Sequence, residues 1–96
     1  MSGFRLSAKA MDDLRSIGRY TQNNWGREQR TKYLSMLDAC FHTISKQPEV
    51  GVNCDDIRLG YRKYHVGRHL IFYRQSIESV DVIRILHDSM DIESHF

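Results

Sequence analysis

The stretch YRKYHVGRHLIFYRQ, Tyr61–Gln75, decides the fold. Gly67-Arg68 stands at its centre, with runs rich in aromatic and β-branched residues on either side. A two-residue connection with Gly leading is the preference of a type II′ hairpin turn. The turn predicts one strand over Tyr61–Val66 and a second over His69–Gln75. It also sets their register, with Arg62 opposite Tyr73, Tyr61 opposite Arg74 and His65 opposite Leu70. A turn near Ser76 to Ser79 leads to a third run, Val80 to Leu86, which completes a meander.

Upstream, the pattern changes period. Phe4 to Leu6 alternates as a short strand, and Ser7 is placed to cap a helix, although Ala10 stands where a capping box would have Glu or Gln. From Ala8 the apolar positions Met11, Leu14, Ile17 and Gly18 recur at helical steps, with Asp12 and Asp13 near the favourable end of the helix dipole. Asn23, Asn24 and Gly26 interrupt that helix. A second helix spans about Arg27 to Lys46, its stripe marked by Leu34, Leu37, Phe41 and Ile44 with Tyr33 and Cys40 beside it. Pro48 ends it. Residues from Pro48 to Gly60 carry turn chemistry and read as a loop. The order is β-α-α-β-β-β. Helices and strands are segregated, which makes an α+β domain with a helical hairpin on one face of a small, mainly antiparallel sheet.

With 96 residues the chain suffices for one domain, 1–96, and not two. Its formal net charge of +2 is low for a dedicated nucleic-acid binder, so no direct sequence-specific contact with nucleic acid is expected. The charge is uneven, because Arg58 to Arg74 contains five Lys or Arg and no acid, whereas Asp88 to Glu93 contains three acids and no Lys or Arg. The N-terminus, Met1 to Leu6, has no long apolar run, and no stretch approaches a membrane span of ~20 apolar residues. A cytoplasmic protein without membrane contact is expected, with Cys40 and Cys54 as separate thiols.

The strands themselves suggest a partner. His69-Leu70-Ile71-Phe72-Tyr73 is apolar on both faces, and Val82 to Leu86 nearly so. One helical hairpin covers one face of a sheet. The other face is then either sealed by the chain's own loop and tail or left as a groove for another chain. On the second alternative the candidate contact residues are Tyr61, Arg62, Tyr64, Arg68, His69, Leu70, Phe72, Tyr73, Arg84 and His87. Trp25, at the hairpin tip, is either a plug over the helix ends or an exposed anchor.

Catalytic motifs are missing: the sequence has no HExxH, GxSxG, GxxxxGK[ST] or GxGxxG. His65 and His69 are four apart, but across a hairpin they point to opposite faces, which argues against a metal pair. No cofactor is expected. One enzymatic reading stays open, a metal-free ribonuclease using Arg58, Arg62, Lys63, Arg68, Arg84 and His87. Arg84, inside an apolar strand, requires a carboxylate or carbonyl partner.

Several short pieces, in order and correctly spaced, resemble ParE toxins of the RelE/ParE group. They are Arg5-Leu6-Ser7, Asp13-Leu14 with Ile17, Tyr20-Thr21, Trp25-Gly26, Gln29 with Tyr33-Leu34 and Leu37, and Pro48 with Gly51. Gly60-Tyr61-Arg62, Val66 to His69, Ile71 to Arg74, Arg84 to His87 and Met90-Asp91 complete the pattern. The chain departs from it at Arg30, Leu59 and His65, where Ala, Pro and Pro are frequent. The resemblance implies a RelE-like fold, a toxin that poisons DNA gyrase by binding, and a cognate antitoxin, small, acidic and partly disordered. A ribosome-dependent mRNA endonuclease of the RelE type is the alternative it implies.

Overall fold

A computed structural model describes residues 3–96. Met1 and Ser2, the first residues of the N-terminus read above, lie outside the described residues. The elements are β1 (Phe4–Leu6), α1 (Ala8–Trp25), α2 (Arg27–Lys46), β2 (Val52–Asn53), β3 (Tyr61–Val66), β4 (His69–Gln75) and β5 (Val80–His87), with 3-10 turns at Pro48–Val50 and Ile92–His95. Among the described residues no helix is long and apolar enough to cross a membrane.

The central hairpin forms in the expected register, with Arg62 against Tyr73 and His65 against Leu70. Gly67 has φ +58°, as the first position of a type II′ turn requires. A side chain there is also sterically excluded, since a Cβ would lie 2.7 Å from the Tyr33 hydroxyl of α2. The sheet order is β1-β5-β4-β3-β2, with β1 parallel to β5 and every other pair antiparallel. β2 is a departure from the expected loop: Val52 and Asn53 add a two-residue edge to β3.

Ser7 caps α1 as its position suggests. Its Oγ accepts from the Ala10 N–H at 3.0 Å and donates to the Ile83 carbonyl at 2.7 Å, which ties the helix start to the sheet. The helix then runs through Asn23 and Asn24 to Trp25, further than expected, and Gly26 alone breaks it with φ +93°. Its inward row also shifts by one residue. Ala10 is fully buried while Met11 is 39% exposed, so the row is Ala10, Leu14, Ile17 and Thr21. On α2, Leu37, Phe41 and Ile44 are buried where the apolar spacing places them.

A β-bulge shapes β5. Phe72 pairs with Arg84 but Tyr73 pairs with Val82, leaving Ile83 as the extra residue. The bulge reverses the inward-outward alternation. Val80, Val82 and Ile85 therefore all face the helical hairpin despite their odd spacing.

The far face of the sheet is closed. Phe72, Leu86 and Cys54 form a second buried cluster, covered by Ile57 from the loop and Ile92 and Phe96 from the tail, with Tyr61 and Leu70 at its margin. The Phe96 ring stands 5.0 Å from Phe72 and 5.8 Å from Tyr61, edge-on to both. The alternative of an open groove on this side is therefore overturned. Burying a Phe or Leu side chain stabilises by about 1.5–3 kcal/mol, enough for a short tail with two apolar anchors to stay down.

A groove at the hairpin end of the sheet

An open cleft lies on the helix side, where the β3–β4 turn and the end of β5 approach α1 and the start of α2. Its volume is about 750 Å³. Ser16, Ile17, Tyr20, Thr21 and Trp25 form one wall, Gln29 and Tyr33 a second, and Arg68, His69, His87, Ser89 and Met90 the remainder. Tyr20 and Trp25 meet edge to face at 5.8 Å and are 62% and 64% exposed. Trp25 is thus an exposed wall residue and not a plug.

A short hydrogen-bond chain orders the floor. The Arg68 backbone N–H donates to the Tyr33 hydroxyl at 3.2 Å, and that hydroxyl lies 2.6 Å from His69 Nδ1. The phenol and Nδ1 share one hydrogen bond, whose donor is set by the tautomer of His69. Burial, reinforced by the neighbouring His87, lowers the His69 pKa to about 4, and the ring is neutral at pH 7. His87 stands edge-on to His69 at 5.3 Å. Its Nδ1 accepts from the Ser89 N–H at 3.1 Å and lies 2.7 Å from the Ser89 hydroxyl. Burial raises the Tyr33 phenol above its ordinary value, and it stays neutral at pH 7.

The structure gathers only some of the candidate residues here. Trp25, Arg68, His69 and His87 converge on the cleft. Phe72 and Tyr73 have no exposed surface; both are core residues. The Tyr73 hydroxyl is inward as well, donating to the Pro48 carbonyl at 2.7 Å and accepting from the Gly51 N–H at 2.8 Å. A Cβ on Gly51 would overlap that hydroxyl. Tyr61 and Leu70 border the closed far cluster, and Tyr64 packs against the helix-side core. Arg62 donates to the Gly51 carbonyl at 2.8 Å.

Arg84 has the partner its setting requires. Nε and Nη2 each lie 2.9 Å from an oxygen of Asp13, and Nη1 reaches the His95 carbonyl at 3.4 Å. Asp13 Oδ2 also accepts from the Ile85 N–H at 2.9 Å, on the edge of β5 beyond β1. The hydrogen bonds to Asp13 raise the Arg84 pKa further. Asp13 thus joins α1 to β5, a stronger role than the helix-dipole position read from sequence. Cys40 and Cys54 are separate thiols, both pushed up by burial. Among the described residues no three His, Cys, Asp or Glu gather as metal ligands.

Tyr20, Tyr33, Ser89 and Met90 complete the cleft without having been picked out as site residues. Tyr20 was accessible to sequence reasoning, being three residues after Ile17 on one helical face. Tyr33 was not, since its place depends on α2 crossing the β3–β4 turn.

Comparison with known proteins agrees with this architecture. Residues 4–92 match the model of the ParE toxin of type II toxin–antitoxin systems, parDE. The Toxin ParE1 of Caulobacter vibrioides is 38% identical over 95 residues, 99% of this chain and 98% of that protein. The Toxin ParE1 of Mycobacterium tuberculosis H37Rv is 39% identical over 93 residues, 96% of this chain and 95% of that one. A solved chain from the chromosomal ParDE system of P. aeruginosa superposes with a TM-score of 0.77 at 17% identity, covering 91% of this chain and 96% of that one, a likeness of fold. With a RelE-like α+β fold and a family match over nearly its whole length, the chain belongs to the ParE toxins of type II toxin–antitoxin systems.

Proposed function

We propose that this ParE-family toxin arrests growth by binding and poisoning DNA gyrase and that a small acidic antitoxin neutralises it. The observation that carries this reading is the family match over residues 4–92. The far face of the sheet is closed by the loop and tail and offers no groove there. In its place the cleft supplies an accessible surface bearing an exposed Trp, the residue type favoured at protein–protein interfaces. Catalysis draws less support. Of the basic residues that a nuclease would need to converge, Arg84 is paired with Asp13 and Arg62 with a backbone carbonyl.

Purified toxin added to gyrase and supercoiled or relaxed plasmid tests the reading. The expected result is inhibited supercoiling or accumulated cleaved DNA, relieved by the protein encoded beside the toxin. Unimpaired gyrase at molar excess of toxin rejects it. Mapping of mRNA ends after expression separates the RelE-type alternative, which produces codon-phased cuts.

A further inference from the structure

We infer that the C-terminal tail is a strap: residues 91–96 lift off the far face as a unit, without global unfolding, and bare Cys54. The cluster of Cys54, Phe72 and Leu86 has a roof in two pieces, Ile57 from the loop and Ile92 with Phe96 from the tail. The loop piece is pinned. The Ile57 N–H donates to the Cys54 carbonyl at 2.9 Å, the Cys54 N–H to the Tyr61 carbonyl at 2.9 Å, and the Gly60 N–H to Asp55 Oδ1 at 2.8 Å. The tail piece is tied firmly only at its start. There the Asp88 N–H donates to the Arg68 carbonyl at 2.8 Å, and the Asp88 carboxylate lies 3.4 Å from His65 Nε2. Further along, the Ser94 and Phe96 N–H groups donate to the Asp91 and Glu93 carbonyls, each at 3.3 Å and within the tail itself. Among the described residues, the one hydrogen bond from 91–96 to the rest of the fold is the 3.4 Å contact of Arg84 Nη1 with the His95 carbonyl.

Apolar burial therefore holds the strap down, and there is little of it. Ile92 and Phe96 are only half-buried, and Asp91, Glu93 and Ser94 are exposed. A segment with few buried apolar contacts and exposed backbone hydrogen bonds opens well below the free energy of global unfolding. The Phe96 ring rests on Phe72 and Tyr61, so its release frees the far end of the strap. Lifting the tail leaves the β4–β5 ladder and the Arg84–Asp13 pair in place, since neither involves residues 91–96. The surface it bares is hidden while the strap is down: Cys54 is 2% exposed, and Phe72 and Leu86 no more than 1%. Burial also pushes the Cys54 thiol up, which keeps it inert under cover. The inference is independent of the gyrase reading, because it concerns the free chain.

Thiol labelling of the whole folded protein is the test, with iodoacetamide as the probe. Peptide mass spectrometry separates Cys54 from Cys40, which packs on the helix-side core and serves as the internal control. Cys54 should be modified without denaturant. Its rate should rise with urea at well under half the slope of global unfolding, because only the surface under the tail is exposed. Phe96→Ala should speed Cys54 labelling about thirtyfold and Ile92→Ala about tenfold, with Cys40 unchanged. Circular dichroism verifies that both variants fold. Three results overturn the inference. Cys54 labelling that follows the full urea slope means that the thiol is reached only when the whole domain melts. Equal acceleration of Cys54 and Cys40 means that the substitutions loosen the core and not a strap. A Cys54 rate unchanged in both variants means that the thiol is reached past Ile57, with the tail in place.

Discussion

Replacing Asp13 by Ala should be the most damaging polar substitution in this molecule. The carboxylate accepts from Arg84 Nε, Arg84 Nη2 and the Ile85 N–H, each at 2.9 Å. The two side chains are only 13% and 14% exposed. Removing one member of a buried pair costs about 3–5 kcal/mol, because the remaining charge is left desolvated. Here Arg84 keeps its 3.4 Å contact to the His95 carbonyl and some access to water, which lowers that contribution to about 2 kcal/mol. The stranded Ile85 N–H adds about 1 kcal/mol. A total near 3 kcal/mol corresponds to a drop in Tm of about 12–24 °C for a domain of this size. Urea unfolding followed by circular dichroism measures it. As a control, Asp81→Ala breaks contacts to Arg5 and Arg74, whose side chains are 73% and 55% exposed, and should cost under about 1 kcal/mol. Adding Arg84→Met to Asp13→Ala should recover part of the loss, since no charge is then left unpaired. A loss below about 1 kcal/mol, or a double variant no more stable than Asp13→Ala, refutes the reasoning.

Three further outcomes are expected. Phe96→Ala should lose about 2 kcal/mol and make the protein bind a hydrophobic dye, because Phe72 and Leu86 lose their cover; equal dye binding by both forms contradicts the closed far face. Tyr73→Phe should cost about 1–3 kcal/mol in urea unfolding, since the Pro48 carbonyl and the Gly51 N–H lose a buried partner; a neutral change contradicts that role. For His69 the folded pKa, about 4, lies below the free value of 6.5, so between them the unfolded chain takes up a proton that the folded chain resists. Stability should therefore fall as pH drops from about 6.5 to 4, by roughly 1–2 kcal/mol after discounting for partial exposure, and His69→Phe should flatten that part of the profile.

The local architecture was legible because it depends on near neighbours. Gly67-Arg68 specifies a turn, the turn specifies a register, and Tyr61 to Gln75 paired as those rules require. The α2 stripe was likewise written in its spacing. Met11 was misplaced because Ala10, one residue away, is small enough to enter the tight approach of α1 to the sheet. The bulge at Ile83 was not legible, since an extra residue in one strand shows only against its partner.

The candidate site was half legible. Trp25, Arg68, His69 and His87 were picked out by residue type, and they do share one surface. Which surface they share depends on how α1, α2 and the end of β5 come together, and no residue spacing encodes that. The same limit explains the far face. Hydrophobicity front and back of β4 was plain in the order of its residues, because side-chain alternation is a property of one strand. Whether that second face stays open depends on whether Ile57, Ile92 and Phe96, distant along the chain, find it in space. That is a matter of long-range packing free energy, which residue order leaves open until the chain has folded.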